Sequence, residues 1–343
     1  MRIALTFNEK RSGAEAEAEF DSRDTIHAIA RILASQGHIV TPVEVSGPVD
    51  EVVRELRRIS PELVFNLAEG TRGTFREAFY PALFEQLGLA CTGSPASVLA
   101  LCFDKALAKR VVAGARVRTP FARLVRTPDE IAGELGPVPM PVIVKPNFEG
   151  SSKGITPASV VADPAKVADV VAAQLARYPA GVLVEEYIDG TDVAVGWVDG
   201  LGLLPPIGYA YPASGEHPVY DLALKQGPPE RIDVQVPARL DAKTAAALEQ
   251  AASRAFSALG ITGYGRADFR VTPAGEVYFL EMNPLPTLDP AERDLYAAAA
   301  RRGISPRELL AAIVGATSPA SSRASPPALP RALPASPRRS PAA

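Results

Sequence analysis

Apolar and polar positions change period repeatedly along the first 94 residues. Arg2–Phe7, His38–Val45 and Leu63–Leu67 read as strands, while Thr25–Gln36, Val49–Ile59 and Glu77–Leu87 carry apolar residues at helical spacing. Gly37 and Gly88 stop the first and last of these helices. Strands alternating with helices predict a parallel sheet with crossover helices, and such sheets bind ligands beyond the carboxyl ends of their strands. Ala68-Glu69-Gly70-Thr71-Arg72-Gly73 lies at such an end. A second unit follows, with a helix over Ser97–Gly114, a strand over Pro141–Lys145 and a glycine-containing turn over Asn147–Gly154. A third unit of strands, a hairpin and helices runs from 181. From about Ser318 the chain is Pro, Ala, Ser and Arg with almost no bulky apolar residue, and such a segment cannot bury enough surface to order itself. The expected division is 1–94, 95–180, 181–317 and a disordered tail, 318–343.

The hairpin is the most informative element. In Gly265–Val271, Arg266, Asp268 and Arg270 share one face, and in Val277–Asn283, Glu281 and Asn283 share another. A four-residue loop, Pro273-Ala274-Gly275-Glu276, sets Asp268 opposite Glu281 and Arg266 opposite Asn283. Two carboxylates facing each other across a sheet repel, and a hard divalent cation relieves them. Asp, Glu and an Asn amide oxygen are the ligands Mg2+ takes when phosphates complete its shell.

Composition narrows the partners. The 343 residues are 47% hydrophobic, enough for a core in each unit, and the net charge of −3 argues against nucleic acid. No apolar run reaches the roughly 18–20 residues that cross a bilayer, so no membrane partner is expected. Cys91 and Cys102 have neither metal nor redox spacing and read as buried thiols in a reducing compartment; the expectation is a soluble, cytoplasmic protein. Of 36 basic residues only 8 are Lys, so a Lys in a structured apolar context carries more meaning than usual.

Val142-Ile143-Val144-Lys145-Pro146 is such a context. The turn that follows, Glu149-Gly150-Ser151-Ser152-Lys153-Gly154, offers backbone N–H groups and hydroxyls to phosphate, without the spacing of a Walker loop. Val182–Ile188 starts apolar and ends polar, so its end can read an adenine edge through backbone atoms with Glu185 helping, and Asp192 can take ribose hydroxyls. Lys225 sits in a Gly/Pro-rich segment, 212–229, too long for a mere connector and fit for a mobile lid.

Phe103-Asp104-Lys105, Val144-Lys145-Pro146 with the Gly-Ser-Ser turn, Glu185 to Gly190, Lys225 after Tyr220-Asp221, and Gly265-Arg266-Ala267-Asp268 with Glu281-Met282-Asn283 occur in this order over residues 1–315. Together they resemble the ATP-grasp superfamily and, within it, the D-alanine–D-alanine ligases. The resemblance implies an α/β protein with an α+β C-terminal half: an ATP-grasp fold behind a parallel α/β N-terminal domain. It implies ATP and two Mg2+ (or Mn2+) ions as cofactors, amino-acid or peptide substrates, and a homodimer. By resemblance, Lys105 and Lys145 are nucleotide lysines, Glu185, Glu186 and Ile188 form the adenine clamp, and Asp192 is the ribose acid. Ser151 and Ser152 belong to the phosphate turn, Ser151 among the catalytic groups, and Lys225 reaches the γ-phosphate. Arg266 holds the oxyanion, and Asp268, Glu281 and Asn283 hold metal. The implied reaction is phosphorylation of a carboxylate by ATP, then attack of an amine on the acyl phosphate.

The substrate end departs from that pattern. The serine that grips the second substrate's carboxylate is missing from Asn283-Pro284-Leu285-Pro286-Thr287, and Thr287 replaces a glycine. Gln226 stands where an aromatic residue usually follows the lid lysine, and Glu69–Glu77 replaces a His-Gly stretch. Glu17 and Glu19 both qualify as the glutamate that holds the first amine, and Arg72, Arg76 or Arg293 as a substitute carboxylate anchor. A ligase with an acceptor other than D-alanine is the expectation. An ordinary D-alanine–D-alanine ligase and an inactive ATP-binding regulator are the alternatives.

Overall fold

β1 (Arg2–Phe7), β2 (Ile39–Glu44) and β3 (Leu63–Leu67) form the expected parallel sheet, in the order β2-β1-β3. The computed structural model describes residues 1–130, 138–212, 216–225, 227, 231–290 and 294–317, so the tail from Ser318 lies outside the described residues. β1 is apolar on both faces because both are covered. Ile3, Leu5 and Phe7 pack on Ile26, Ile29 and Leu33 of α1 (Arg23–Ser35). Ala4 packs with Val52 and Leu56 of α2 (Val49–Ile59) and Tyr80 and Phe84 of α3 (Arg76–Gln86).

Where the sequence predicts one helix over 97–114, two form: α4 (Ala96–Phe103) and α5 (Lys105–Gly114). Asp104 divides them. Its backbone turns extended, and its carboxylate accepts from Leu107 N, an N-cap that competes with continuing the first helix. Asn147 Nδ2 donates to the same carboxylate at 2.8 Å, and Asn147 Oδ1 accepts from Ala106 N. Lys105 therefore leaves from the first position of a helix pinned to the phosphate turn.

β4 (Ala122–Val125), β5 (Val142–Pro146), β6 (Val160–Val161) and β7 (Val182–Glu186) form a small antiparallel sheet, ordered β4-β7-β5-β6 and backed by α6 (Val167–Arg177). Sequence reading puts β7 in the third unit. In the structure it pairs with both β4 and β5, so this sheet runs across residue 180.

β8 (Thr191–Val198), β9 (Gly202–Leu203), β10 (Ile207–Ala210), β11 (Asp233–Gln235), β12 (Tyr264–Val271) and β13 (Val277–Asn283) make the large sheet, with α7 (Leu222–Lys225) above it. One face packs on α8 (Ala242–Leu259) and on α4 and α5. The other shares its core with the N-terminal sheet, α9 (Asp294–Ala300) and α10 (Pro306–Ala316). Among the described residues no helix is long and apolar enough to cross a membrane.

The β12–β13 hairpin pairs Arg266 with Asn283 and Asp268 with Glu281, as the spacing predicts, but by another route. The loop is one residue shorter than expected: Thr272 N donates to Glu276 O, and Gly275 takes a left-handed φ of 79°. A bulge between Asp268 and Phe269 restores the residue, because Phe269 pairs with Phe279 and Leu280 is extra. The two departures cancel at the end of the hairpin that bears the carboxylates.

Candidate active site

All thirteen predicted site residues line one cleft of about 1240 Å³ between the small and large sheets. The lower wall is the hairpin. Arg266 grips Asp268 with both arms, Nε to Oδ1 at 2.8 Å and Nη2 to Oδ2 at 2.9 Å, while Nη1 reaches Asp294 at 3.1 Å. Asn283 Nδ2 donates to Asp268 Oδ2 at 3.0 Å, which leaves its amide oxygen free to ligate. Lys105 Nζ lies 3.3 Å from Glu281 Oε2 and also donates to the Glu149 carbonyl. Burial opposes charge on Glu281, but Lys105, Lys145 and Lys225 outweigh it and pull its pKa down to about 2. Burial pushes the Asp268 carboxyl up, against Arg266 and with help from Glu281. Two oxyanions and an amide oxygen that repel one another when bare fit a hard divalent cation.

The upper wall is the phosphate turn. Ser151 and Ser152 both sit in the left-handed region, at φ 48° and 58°, a conformation costing on the order of 1 kcal/mol per residue. Among the described residues nothing accepts from their backbone N–H groups, which that geometry turns outward as an anion cradle. Ser152 Oγ donates to Tyr220 O at 2.8 Å, tying the turn to the segment that leads into α7. Lys225 stands exposed at the end of α7, 5.2 Å from the Tyr220 ring centre. Gln226, expected beside it, lies outside the described residues, as does Arg293.

The nucleotide-side residues are more entangled than their spacing predicts. Glu185 is buried with Lys145 and Lys109 each 2.7 Å from one of its oxygens, so it anchors two lysines and offers no free edge to a base. Burial lowers the Lys109 ammonium to about 8. Glu186 Oε2 accepts from Phe121 N at 3.2 Å. Asp192 has Arg270 on one oxygen at 2.7 Å and the Tyr211 hydroxyl on the other at 2.5 Å. Arg270 also donates to Ile188 O, Tyr187 Oη and Pro218 O, so one buried guanidinium joins the residues just after β7 to Pro218. Sequence reading places Arg270 on the right face but gives it no role. It also passes over Leu280, the bulged residue, which lines the cleft.

The loop after β1 closes the remaining end. Glu17 accepts from Arg11 N and Ser12 N and serves its own loop. Glu19 faces the cleft, with Arg76 Nη2 at 2.8 Å and Lys153 Nζ at 2.5 Å. Arg76 is thus committed to Glu19 and to Glu149, 3.4 Å away, and Arg72 is exposed outside the cleft lining. Glu19, Glu69 and Glu77 bring carboxyl oxygens within 4.8 Å of one another. Arg76 and Lys153 balance this cluster. Burial, with Glu19 beside it, pushes the Glu77 carboxyl up to about 8.

Residues 124–315 match the family profile of the D-ala D-ala ligase C-terminus. A D-alanine–D-alanine ligase of Citrifermentans bemidjiense is 31% identical over 308 residues, 89% of this chain and 94% of the relative. An uncharacterised Sinorhizobium fredii protein, y4sG, is 30% identical over 254 residues, 73% of this chain and 71% of the relative. The ATP-complexed D-alanine–D-alanine ligase of Bacillus anthracis shares the fold with a TM-score of 0.69 at 19% identity, over 92% of this chain and 97% of that one. The VanG D-Ala:D-Ser ligase of Enterococcus faecalis does so at 0.70 and 21%, over 92% and 99%. Matched by the family profile over 124–315 and by a relative 31% identical over 89% of its length, the chain belongs to the D-alanine–D-alanine ligase family and is an ATP-grasp ligase that forms carbon–nitrogen bonds.

Proposed function

We propose that the cleft binds Mg-ATP, phosphorylates a substrate carboxylate and couples the acyl group to an amine other than D-alanine, in the cytoplasm. The observation that carries this reading is Glu281, held ionised among three lysines and paired across the hairpin with Asp268. Asp268, Glu281 and the Asn283 amide oxygen would hold Mg2+, which when bound neutralises the β- and γ-phosphates. Lys105, Lys145 and Lys225 bring further positive charge to the triphosphate, and the Ser151 and Ser152 amides receive it. The carboxylate oxygen attacks the γ-phosphorus, ADP leaves, and an acyl phosphate forms. The amine attacks the acyl carbon, phosphate leaves, and the amine proton goes to solvent or product phosphate. Arg266, already oriented by Asp268 and Asp294, stabilises the oxyanion, a contact typically worth ~3–4 kcal/mol. Closure of the lid keeps water from the acyl phosphate.

A different acceptor is supported by the wall itself. Pro284, Leu285 and Pro286 line the cleft where the gripping serine is missing, and Arg76 is already paired. The test is amino-acid-dependent phosphate release from Mg-ATP over pairs of D- and L-amino acids, with product masses read on the active pairs. Release with a pair other than D-alanine alone is the expected outcome. Release with D-alanine alone, giving its dipeptide, would establish an ordinary D-alanine–D-alanine ligase, the reading that the 31% identity favours.

A further inference from the structure

Arg270 lines the cleft with Arg266 and Asp268 but is only 5% exposed, and nothing in the reaction above uses it. The pairing of β8 with β12 sets it opposite Asp192. A guanidinium keeps its charge and carries five N–H donors, so burying one is costly unless all five are met. Here all five are. Nε donates to Ile188 O at 3.0 Å. Nη1 donates to Asp192 Oδ1 at 2.7 Å and to the Tyr211 hydroxyl at 3.1 Å. Nη2 donates to the Tyr187 hydroxyl and to Pro218 O, both at 2.9 Å. Every donor of Arg270 is therefore committed to the protein.

Three of these acceptors lead toward Lys225. Pro218 O takes a second bond from the Tyr187 hydroxyl at 2.8 Å, and the Tyr187 ring lies 5.1 Å from that of His217. Two residues beyond Pro218, the Tyr220 ring stacks on Tyr211, with 5.5 Å between centres and 20° between planes, and lies 5.4 Å from Tyr209. The Tyr211 hydroxyl donates in turn to Asp192 Oδ2. Asp221 then starts α7: its Oδ1 accepts from Leu224 N at 2.8 Å and its carbonyl from Lys225 N at 3.1 Å. Bonds and ring contacts that converge on one guanidinium thus hold residues 217–220, which lead into α7, and Lys225 ends that single turn. We propose that Arg270 is a positioning residue for Lys225, fixing the place from which this lysine meets the terminal phosphate of ATP. The inference rests on the Mg-ATP reading above and adds to it a residue that acts on the γ-phosphate through the fold.

Mg-ATP and Mg-ADP differ by the one phosphate in question, so the ratio of their dissociation constants reads the Lys225 contact without the unknown substrates. The full chain is titrated calorimetrically with each nucleotide at the same free Mg2+. Lys225→Met should weaken Mg-ATP by about 10–100-fold and Mg-ADP by less than about threefold, as loss of one hydrogen bond to a charged group requires. Arg270→Met should compress the preference for ATP over ADP by about 10-fold, although it leaves Lys225 in the chain. Tyr187→Phe keeps Arg270 and Asp192 in place, removes one hydroxyl that holds Pro218, and should compress the preference roughly threefold. Equal weakening of both nucleotides by Arg270→Met would make Arg270 a support of its own end of the cleft, overturning the inference and leaving the Mg-ATP reading standing. A preference that Lys225→Met does not move does the same. Should Arg270→Met fail to fold, Tyr187→Phe decides, and a preference equal to that of the unaltered chain overturns the inference. Binding of neither nucleotide by the unaltered chain overturns both.

Discussion

Residues whose chemistry is carried by near neighbours are the ones the sequence makes legible. Lys145 at the end of an apolar strand, the Gly-Ser-Ser turn, and Asp268 with Glu281 and Asn283 at alternating positions each announce a chemistry within a few residues. Lys153, Arg270 and Lys109 do not, because their partners lie far along the chain: Lys153 meets Glu19, Arg270 meets Ile188, and Lys109 meets Glu185. Their roles exist only once tertiary packing has removed water from both members of the pair. Glu77 is of the same kind, and it predicts a pH dependence. Its folded pKa, about 8, stands above the ordinary carboxyl value near 4.3. Between these values the folded state binds one proton more than the unfolded chain, so stability contributed by this group falls as pH rises and levels off above about 8. Glu77→Gln should flatten the decline in Tm between about pH 5 and 8 and stabilise the fold at pH 8 by on the order of 1 kcal/mol. Thermal unfolding across that range decides it: an unchanged slope rules out a buried proton on Glu77.

Elements show a second kind of legibility. Strand and helix periods give the N-terminal sheet almost residue for residue, because its two inner strands are largely apolar and every helix is stopped by a glycine or a polar cap. Two features escape periodicity. The apolar spacing of 97–114 runs straight through Asp104, where the carboxylate caps the second helix through Leu107 N and is held in place by Asn147, 43 residues away. The bulge at Leu280 and the shortened hairpin loop leave the site register unaltered, so alternation alone cannot reveal either. Asp104→Ala tests the first point. It removes the cap of α5 and a partner of Asn147, and should cost ~1–2 kcal/mol in urea unfolding. Because Lys105 is the first residue of that helix, KM for ATP should rise as well. Loss of stability with unchanged KM would mean that the cap serves the helix alone.

At the scale of the whole molecule, three sheets meet at one cleft, and long-range polar ties supplement the apolar contacts between them. Glu15, on the loop after β1, accepts from Gly154 N at 3.0 Å and from the Tyr178 hydroxyl at 2.6 Å, which fastens the N-terminal unit onto the phosphate turn. The N-terminal sheet and the large sheet also share a continuous apolar core. Element order alone does not reveal that β7 pairs across residue 180 or that α4 and α5 pack beneath the hairpin.

The scarcity of lysine has a practical consequence once its placement is known. Six of the eight, Lys10, Lys105, Lys109, Lys145, Lys153 and Lys225, line or back the cleft, while Lys166 and Lys243 stand exposed elsewhere. An amine-directed acylating reagent therefore becomes a footprinting probe of one place on this protein. Nucleotide should slow modification of Lys225 and of whatever fraction of Lys105 and Lys145 reacts, with Lys166 and Lys243 as internal standards in the peptide masses. Equal protection of all sites, or of none, would place the nucleotide elsewhere. Acylated at so few positions, the protein would lose turnover in step with the loss of a handful of amines, whereas its many arginines would keep it charged and in solution.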